Sequence, residues 1–442
     1  MPQQESSKYA VSAASRAIIE LPPVVPGSIV WSLSSLETAM SAIKPETLNA
    51  TLDTPTTQWP AIVNVVLAGI AVALHVGKAT IALPELQREF GRSLESLSWI
   101  ISAFPFIGVF GGIAAGLLVR RWGDRRLLGL GLVIVSAASF LGAAQHDFTG
   151  LIVTRAIEGI GFVIVVVSAP TVLTRVVSPQ KRNLVFSIWS TFMPAGIAVS
   201  LFFGPHFSGW QQSWIAGGIL TLLAALLLPL TTPRAVVTTS SAVALKLRQA
   251  FGSILRARQP LLLALIFTTY NLQFFAVMAF LPIFLMQRIG LTLAAAGGIS
   301  AAVIAVNILG NLAAGVLLSR GLRARTLLAV VSLLMGLAGA GVFLSVTPNA
   351  LLIPLCLVFS AIGGMMPATI LAATPAAAPE PTLIPLSLGL VMQGIYLGQV
   401  IGPIVLSSLV AYAGWSAPSG MVLAAAVMGS ILALALASKT RS

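Results

Sequence analysis

Between Gly111 and Val133 the chain reads GGIAAGLLVRRWGDRRLLGLGLV. A glycine-rich apolar run ends there, Arg120, Arg121, Asp124, Arg125 and Arg126 follow almost at once, and a second apolar run begins. A globular core has no place for such charges between two such runs. A bilayer does, because the charged heads need water while each flanking run needs hydrocarbon. The pattern recurs at Gly310 to Val330, GNLAAGVLLSRGLRARTLLAV. A slide of about 199 residues pairs Gly111 with Gly310, Gly116 with Gly315 and Arg121 with Arg320, the mark of a duplicated membrane unit.

Of the 442 residues, 57% are hydrophobic and 8% charged, with a mean hydropathy of +0.97. Soluble domains carry about 25% charged residues, so this chain has too few to cover a water-facing surface. A formal net charge of +13 would suit a nucleic-acid partner, but the basic residues sit in short clusters between apolar runs, as membrane-protein loop charges do. No nucleic acid is therefore expected. The one cysteine, Cys356, lies inside an apolar run, and the three histidines show no HxxxH spacing, so no metal or cofactor site is indicated. No GxxxxGK[ST] loop is present, which excludes nucleotide-driven pumping by this chain. No nucleophile–base pair stands in the apolar runs, so an enzyme is not indicated either.

Residues 1–59 hold several prolines and no run long enough to span. Pro22, Pro23 and Pro26 break any signal-peptide core, while Leu33, Leu36, Met40 and Ile43 make one short amphipathic pattern. The segment reads as a disordered cytosolic tail, or as the product of an upstream start codon. From Pro60 onward twelve spans follow, at about 60–84, 95–119, 127–145, 150–174, 184–205, 213–231, 260–286, 292–318, 325–346, 350–373, 384–411 and 417–437. The expected architecture is an all-α membrane protein with a first six-helix bundle over 60–231, a basic cytoplasmic linker over 232–259 and a second bundle over 260–442. In the linker, Val243, Leu247, Phe251, Ile254 and Leu255 share one face, which suits a helix lying on the membrane surface. Loops on the side of the 120–126 turn carry most of the Lys and Arg, against Arg88, Arg92 and Arg288 on the other. Both termini are therefore expected in the cytoplasm, and the protein in the inner membrane as a monomer.

Two six-helix halves, a basic central loop and the charged turn after span two resemble the major facilitator superfamily of secondary transporters. The resemblance covers about residues 60–437. Gly116, Leu118, Val119, Arg121, Gly123 and Arg125 fit that family's loop motif G-x-L-a-D-r-x-G-r-r. The family's acid position holds Arg120, and an acid stands instead at Asp124, where it can cap a helix or pair with an arginine. The resemblance implies a latch between halves built from Gly116, Arg120, Arg121, Gly123, Asp124 and Arg125; a turn that only fixes topology is the competing reading. In span four, LIVTRAIEGIGFVIV is similar to R-x-x-q-G-x-G, with Arg155, Gly159 and Gly161 in register and Glu158 in place of Gln. Span five carries Gly196, Ser200, Gly204, Pro205, Ser208 and Gly209, similar to the antiporter signature G-x3-G-P-x2-G-G, and span eleven repeats it as Gly394, Gly398, Gly402 and Pro403. Because both halves have it, Gly204, Pro205, Gly402 and Pro403 read mainly as hinge and packing positions.

Charge on a membrane helix is costly and marks a functional candidate. His75 and Lys78 share one face of span one, and Arg155 and Glu158 one face of span four. At about 1.5 Å per residue both pairs fall roughly 8–14 Å from the same ends of their spans. In the family the first and fourth helices line the central cavity, so the resemblance places the pairs opposite each other there, with Asn64 extending the lining. The expected site is a net-positive network in which Glu158 is the proton-carrying carboxylate and His75 a pH-responsive member. Such a cavity favours an anionic solute, moved by proton–anion symport. The family's drug-efflux branch has an acid in L-D-x-T-I-V-N-V-A-L-P, and aligned on Ala82-Leu83-Pro84 that position is His75. A competing reading has Arg155 and Glu158 bracing helices while Lys78 snorkels outward.

In the second half, Tyr270, Asn271 and Gln273, Asn307 and Asn311, and Gln393, Tyr396 and Gln399 form either a hydrogen-bonding wall of the site or polar glue between helices. YNLQFFAVMAFLP in span seven is similar to the cyanate-permease-like small-anion carriers. A secondary carrier of a small anion is the leading expectation. The alternative is a proton-coupled efflux antiporter for amphiphilic compounds, and from another class a membrane sensor or scaffold.

Overall fold

The computed structural model describes residues 57–111, 118–119, 122–233, 256–380 and 383–437. Nearly all of the expected tail, the amphipathic part of the linker, and Gly116, Arg120 and Arg121 of the loop motif lie outside these residues.

Within the described residues the regular structure is helical, as hydrocarbon demands of a chain that must bond its own backbone. Eleven helices are long and apolar enough to cross a membrane. The last span, Pro418–Leu434, is shorter. Spans one and seven overrun their expected ends, as Trp59–Phe90 and Arg258–Ile289. Pro84 and Pro282 lie inside these helices without ending them, and each stops at a left-handed glycine, Gly91 or Gly290. Only a residue without a Cβ adopts that conformation freely. Two residues further on, Ser93 and Thr292 cap the next helices through their hydroxyls. The helix ends, stop glycines and caps recur at the displacement found in the sequence, with the prolines one residue off it, so the duplication extends to helix ends and caps.

Spans five and ten depart from continuous helices. Span five breaks at Thr191 into Arg182–Ser190 and Phe192–Phe203 and closes with a 3-10 turn at Gly204–His206. Span ten breaks at Gly364 into Asn349–Gly363 and Met365–Ala377. Span eleven runs unbroken from Ile384 to Ala413 through Pro403.

Small residues set which helices touch. A Cβ on Gly159 would meet the Phe104 carbonyl oxygen at 1.9 Å, joining spans four and two, and one on Gly402 would meet the Leu272 oxygen at 2.4 Å, joining spans eleven and seven. Gly204 is likewise pressed on the Ile81 side chain. The glycines of the expected hinge are therefore packing positions in this conformation.

The halves meet at the end opposite the arginine-rich turns. Ser408 Oγ donates to Glu95 Oε1 (3.1 Å), Ser102 Oγ to the Val400 carbonyl (3.0 Å), and the Tyr396 ring fills the space a Gly108 side chain would need. Span eight, Leu293–Ser319, reveals how the halves diverge. Gly297 presses against the Leu201 carbonyl of span five; Gly315, five turns further along the same face, meets no described residue within 4 Å. Among the described residues, the crevice between halves thus widens toward the arginine-rich end. A cysteine introduced by Gly315→Cys is expected to react with a membrane-impermeant thiol reagent from that side only, while buried Cys356 stays unlabelled. Failure to label from either side would mean that this face is closed.

Candidate functional site

The four charged candidates do come together. Lys78 Nζ donates to Glu158 Oε1 (2.6 Å), Ser139 Oγ (2.7 Å) and His75 Nδ1 (2.8 Å), which uses all three ammonium protons. Arg155 Nη1 donates to Glu158 Oε2, and Arg155 Nε to the Ile100 carbonyl (3.1 Å). The histidine tautomer follows from its partner. Thr221 Oγ1 spends its proton on the Gly217 carbonyl (2.9 Å), so at 3.0 Å it accepts from His75 Nε2–H and leaves Nδ1 to receive Lys78. The Ser139 hydroxyl likewise donates to the Trp214 carbonyl, and the cations lie 4.4 Å from the Trp214 and Phe104 rings.

All four are at most 1% exposed. Their partners come from spans one, two, three, four and six, so the cluster sits inside the first half, where it ties five helices together. The equal depths expected from the sequence hold; the expected direction does not. At 100° per residue, His75 and Lys78 lie about 150° around the helix from Val76 and Thr80, which line the crevice between halves. Asn64 shares the face of His75 and donates to the Ala224 carbonyl (3.3 Å) and Thr231 Oγ1 (3.1 Å) of span six, so it lines no cavity. Lys78 does not snorkel outward, because three acceptors at bonding distance outcompete a route to water.

The crevice has a different character. Val76, Thr80, Ile101 and Ile197 of the first half face Phe274, Phe275, Met278, Ala279 and Ile304 of the second. Its cavity volume is about 10 Å³, room for roughly one water. Sequence reasoning singled out none of these residues as site residues, although the span-seven stretch YNLQFFAVMAFLP contains four of them, since an apolar side chain facing a cleft reads like one facing lipid. Among the described residues, the charges outside the buried cluster lie in loops or near helix ends.

The second-half candidates divide. Asn307 Nδ2 donates to the Ser360 carbonyl (3.1 Å) and Tyr270 OH (3.4 Å), and Asn311 Nδ2 to Asn307 Oδ1 (3.0 Å), giving one cluster between spans seven, eight and ten. Asn271 and Gln273 donate back to Phe267 and Thr269 on their own helix. Tyr396 packs on Gly108, and Gln393 and Gln399 make no hydrogen bond among the described residues.

Of the latch, Gly123 (φ 84°) is the N-cap of span three without a side-chain cap bond, and Asp124, its first residue, accepts from the neighbouring Arg125 N–H (2.6 Å). Asp124 also pairs with Arg175 of span four (2.9 Å), while Arg125 Nη1 donates to the Thr232 carbonyl after span six (2.8 Å). These bonds stay within the first half, so the described part of the turn does not link the halves here.

Among the described residues, eleven apolar helices of spanning length and a shorter twelfth, in two repeats about a crevice, define a polytopic membrane protein. Residues 63–383 match the family model described as Major Facilitator Superfamily, and the chain belongs to that superfamily. The puromycin resistance protein of Streptomyces alboniger is 29% identical over 175 residues, 38% of this chain and 34% of that one. The methyl viologen resistance protein of Salmonella typhimurium is 31% identical over 153 residues (34% and 30%), and the galactose-proton symporter of Escherichia coli 26% over 171 (37% and 36%). Each match thus spans about a third of the relative's length. A solved bacterial homolog to the human lysosomal transporter Spinster shares the fold, with a TM-score of 0.62 at 17% identity over 84% of this chain and 92% of that one.

Glu158→Gln would leave Lys78 and Arg155 as two unmatched buried cations, at a cost of about 3–5 kcal/mol. Lys78→Met keeps the Arg155–Glu158 pair balanced and is expected to cost less. Thermal melting of the purified variants checks the order, and equal losses would contradict it.

Proposed function

We propose that this chain is a secondary carrier that moves amphiphilic organic solutes by alternating access. The observation that carries this is the crevice between the halves, apolar apart from Thr80 and free of charge. A small anion would need a cation facing that crevice, and Lys78 and Arg155 both end on Glu158 behind it. The expectation of an anionic substrate thereby loses its physical basis, and the efflux alternative gains.

In this proposal the bundles over 60–231 and 260–442 rock against each other, with the arginine-rich ends and both termini in the cytoplasm of an inner-membrane protein. The present cavity is too small for any organic solute, so loading requires the halves to part. Resistance to puromycin, named for one relative, is in keeping with an amphiphile as cargo. Proton coupling falls to Glu158, the carboxylate within the buried cluster, whose protonation would release Lys78 and Arg155 and loosen five helices together.

Proteoliposomes with an imposed pH gradient test the proposal. Lipophilic dyes are expected to move, and thiocyanate, cyanate and acetate are not. Met278→Trp, which fills the crevice, is expected to slow dye flux at least about tenfold, as loss of fit at a binding site does, with thermal stability retained. Saturable, gradient-driven anion flux would overturn the assignment.

A further inference from the structure

Gly297, Ile304, Asn311 and Gly315 lie on one face of span eight, at spacings of seven, seven and four residues. The first presses on the other half, the second lines the crevice and the last meets no described residue within 4 Å. Asn311, half-buried, stands between the apolar crevice and its open mouth. Behind it runs the hydrogen-bonded series from Asn311 through Asn307 to Tyr270, whose ring stacks on Phe274 of the crevice wall at 5.5 Å.

The donors and acceptors of this series do not cancel. Asn311 Nδ2 donates to the Asn307 carbonyl and to Asn307 Oδ1; Asn307 Nδ2 donates to the Ser360 carbonyl and to Tyr270 OH. Asn311 Oδ1 is left without a donor among the described residues, and the Tyr270 hydroxyl proton without an acceptor. The Ser360 hydroxyl beside them is fully buried and has no partner. Asn311 Oδ1 is not itself buried, so a solute in the crevice can reach it and supply the missing bond.

We infer that Asn311 and Tyr270 form the head-group site of the carrier, and that its solute is an uncharged amphiphile bearing a carbonyl or hydroxyl group. The apolar body lies against Phe274, Met278 and Ile304, and the polar head meets one acceptor and one donor. No charged side chain among the described residues faces this place, so a cationic or anionic head would be desolvated without compensation. The inference rests on the crevice being the solute site.

The test is saturable binding of three fluorescent probes to the full chain in lipid nanodiscs, with empty nanodiscs subtracted. Nile red is neutral with a ring carbonyl, ethidium is a cation, and 8-anilino-1-naphthalenesulfonate is an anion. Nile red is expected to bind most tightly. Asn311→Ala and Tyr270→Phe, which keeps the ring stack, are each expected to weaken it by about three- to tenfold, the worth of one hydrogen bond. Asn311→Gln should restore part of the loss, and Leu309→Ala, on the exposed side of the same helix, should change nothing. If Nile red binding is lost in Met278→Trp but unchanged in both head-group variants, the head-group site is overturned and the crevice stands. If Met278→Trp has no effect either, the crevice is not the solute site and both fall. Tighter binding of ethidium or the sulfonate than of Nile red overturns the neutral-head assignment. Unaltered melting of each variant without probe ties the change to binding rather than folding.

Discussion

A buried carboxylate that two cations share is the interaction around which the first half is arranged. Each of these ions alone would cost several kcal/mol to bury. The cost is met only if Lys78, Arg155 and Glu158 are held at bonding distance together, and that requires spans one, two, three, four and six to keep their positions. The hydroxyls of Ser139 and Thr221 are as necessary as the charges. Each directs its proton to a backbone carbonyl and so offers a lone pair to the cluster. The charges give the bundle one register.

This arrangement separates two tasks along one helix. Span one turns His75 and Lys78 into its own bundle and Val76 and Thr80 toward the other half. Any change of charge state in the cluster would reach the crevice through helix packing, without contact between a proton and the solute. The second half offers no charge for such a role, only amides and a phenol whose bonds are partly unfilled.

Much of the architecture was legible from the chain because hydrocarbon imposes rules that act on single helices. Span number, charged turns, internal duplication and the equal depth of the two charged pairs each depend on position along one helix. Helix ends were less legible: Pro84 was expected to end span one, but a proline affects only the turn before it, and the left-handed Gly91 is the actual stop. The breaks at Thr191 and Gly364 each fall three residues before a proline, Pro194 or Pro367, a local signal the sequence reading passed over.

The site was half legible. That His75, Lys78, Arg155 and Glu158 would meet follows from the cost of leaving any of them alone in lipid, and residue types with their depth suffice to say so. The direction in which they meet depends on how span one is rotated about its axis. That rotation is set by close contacts such as those of spans three and six, whose hydroxyls accept from Lys78 and His75. Periodicity identifies a face but not the neighbour it will find. The sequence by itself therefore determined a polytopic membrane protein with buried, mutually dependent charges, since the transfer of charge into hydrocarbon has the same sign in any fold. Only the tertiary structure decided that the charges close on one another and that the crevice is apolar, because both depend on which helices stand on either side.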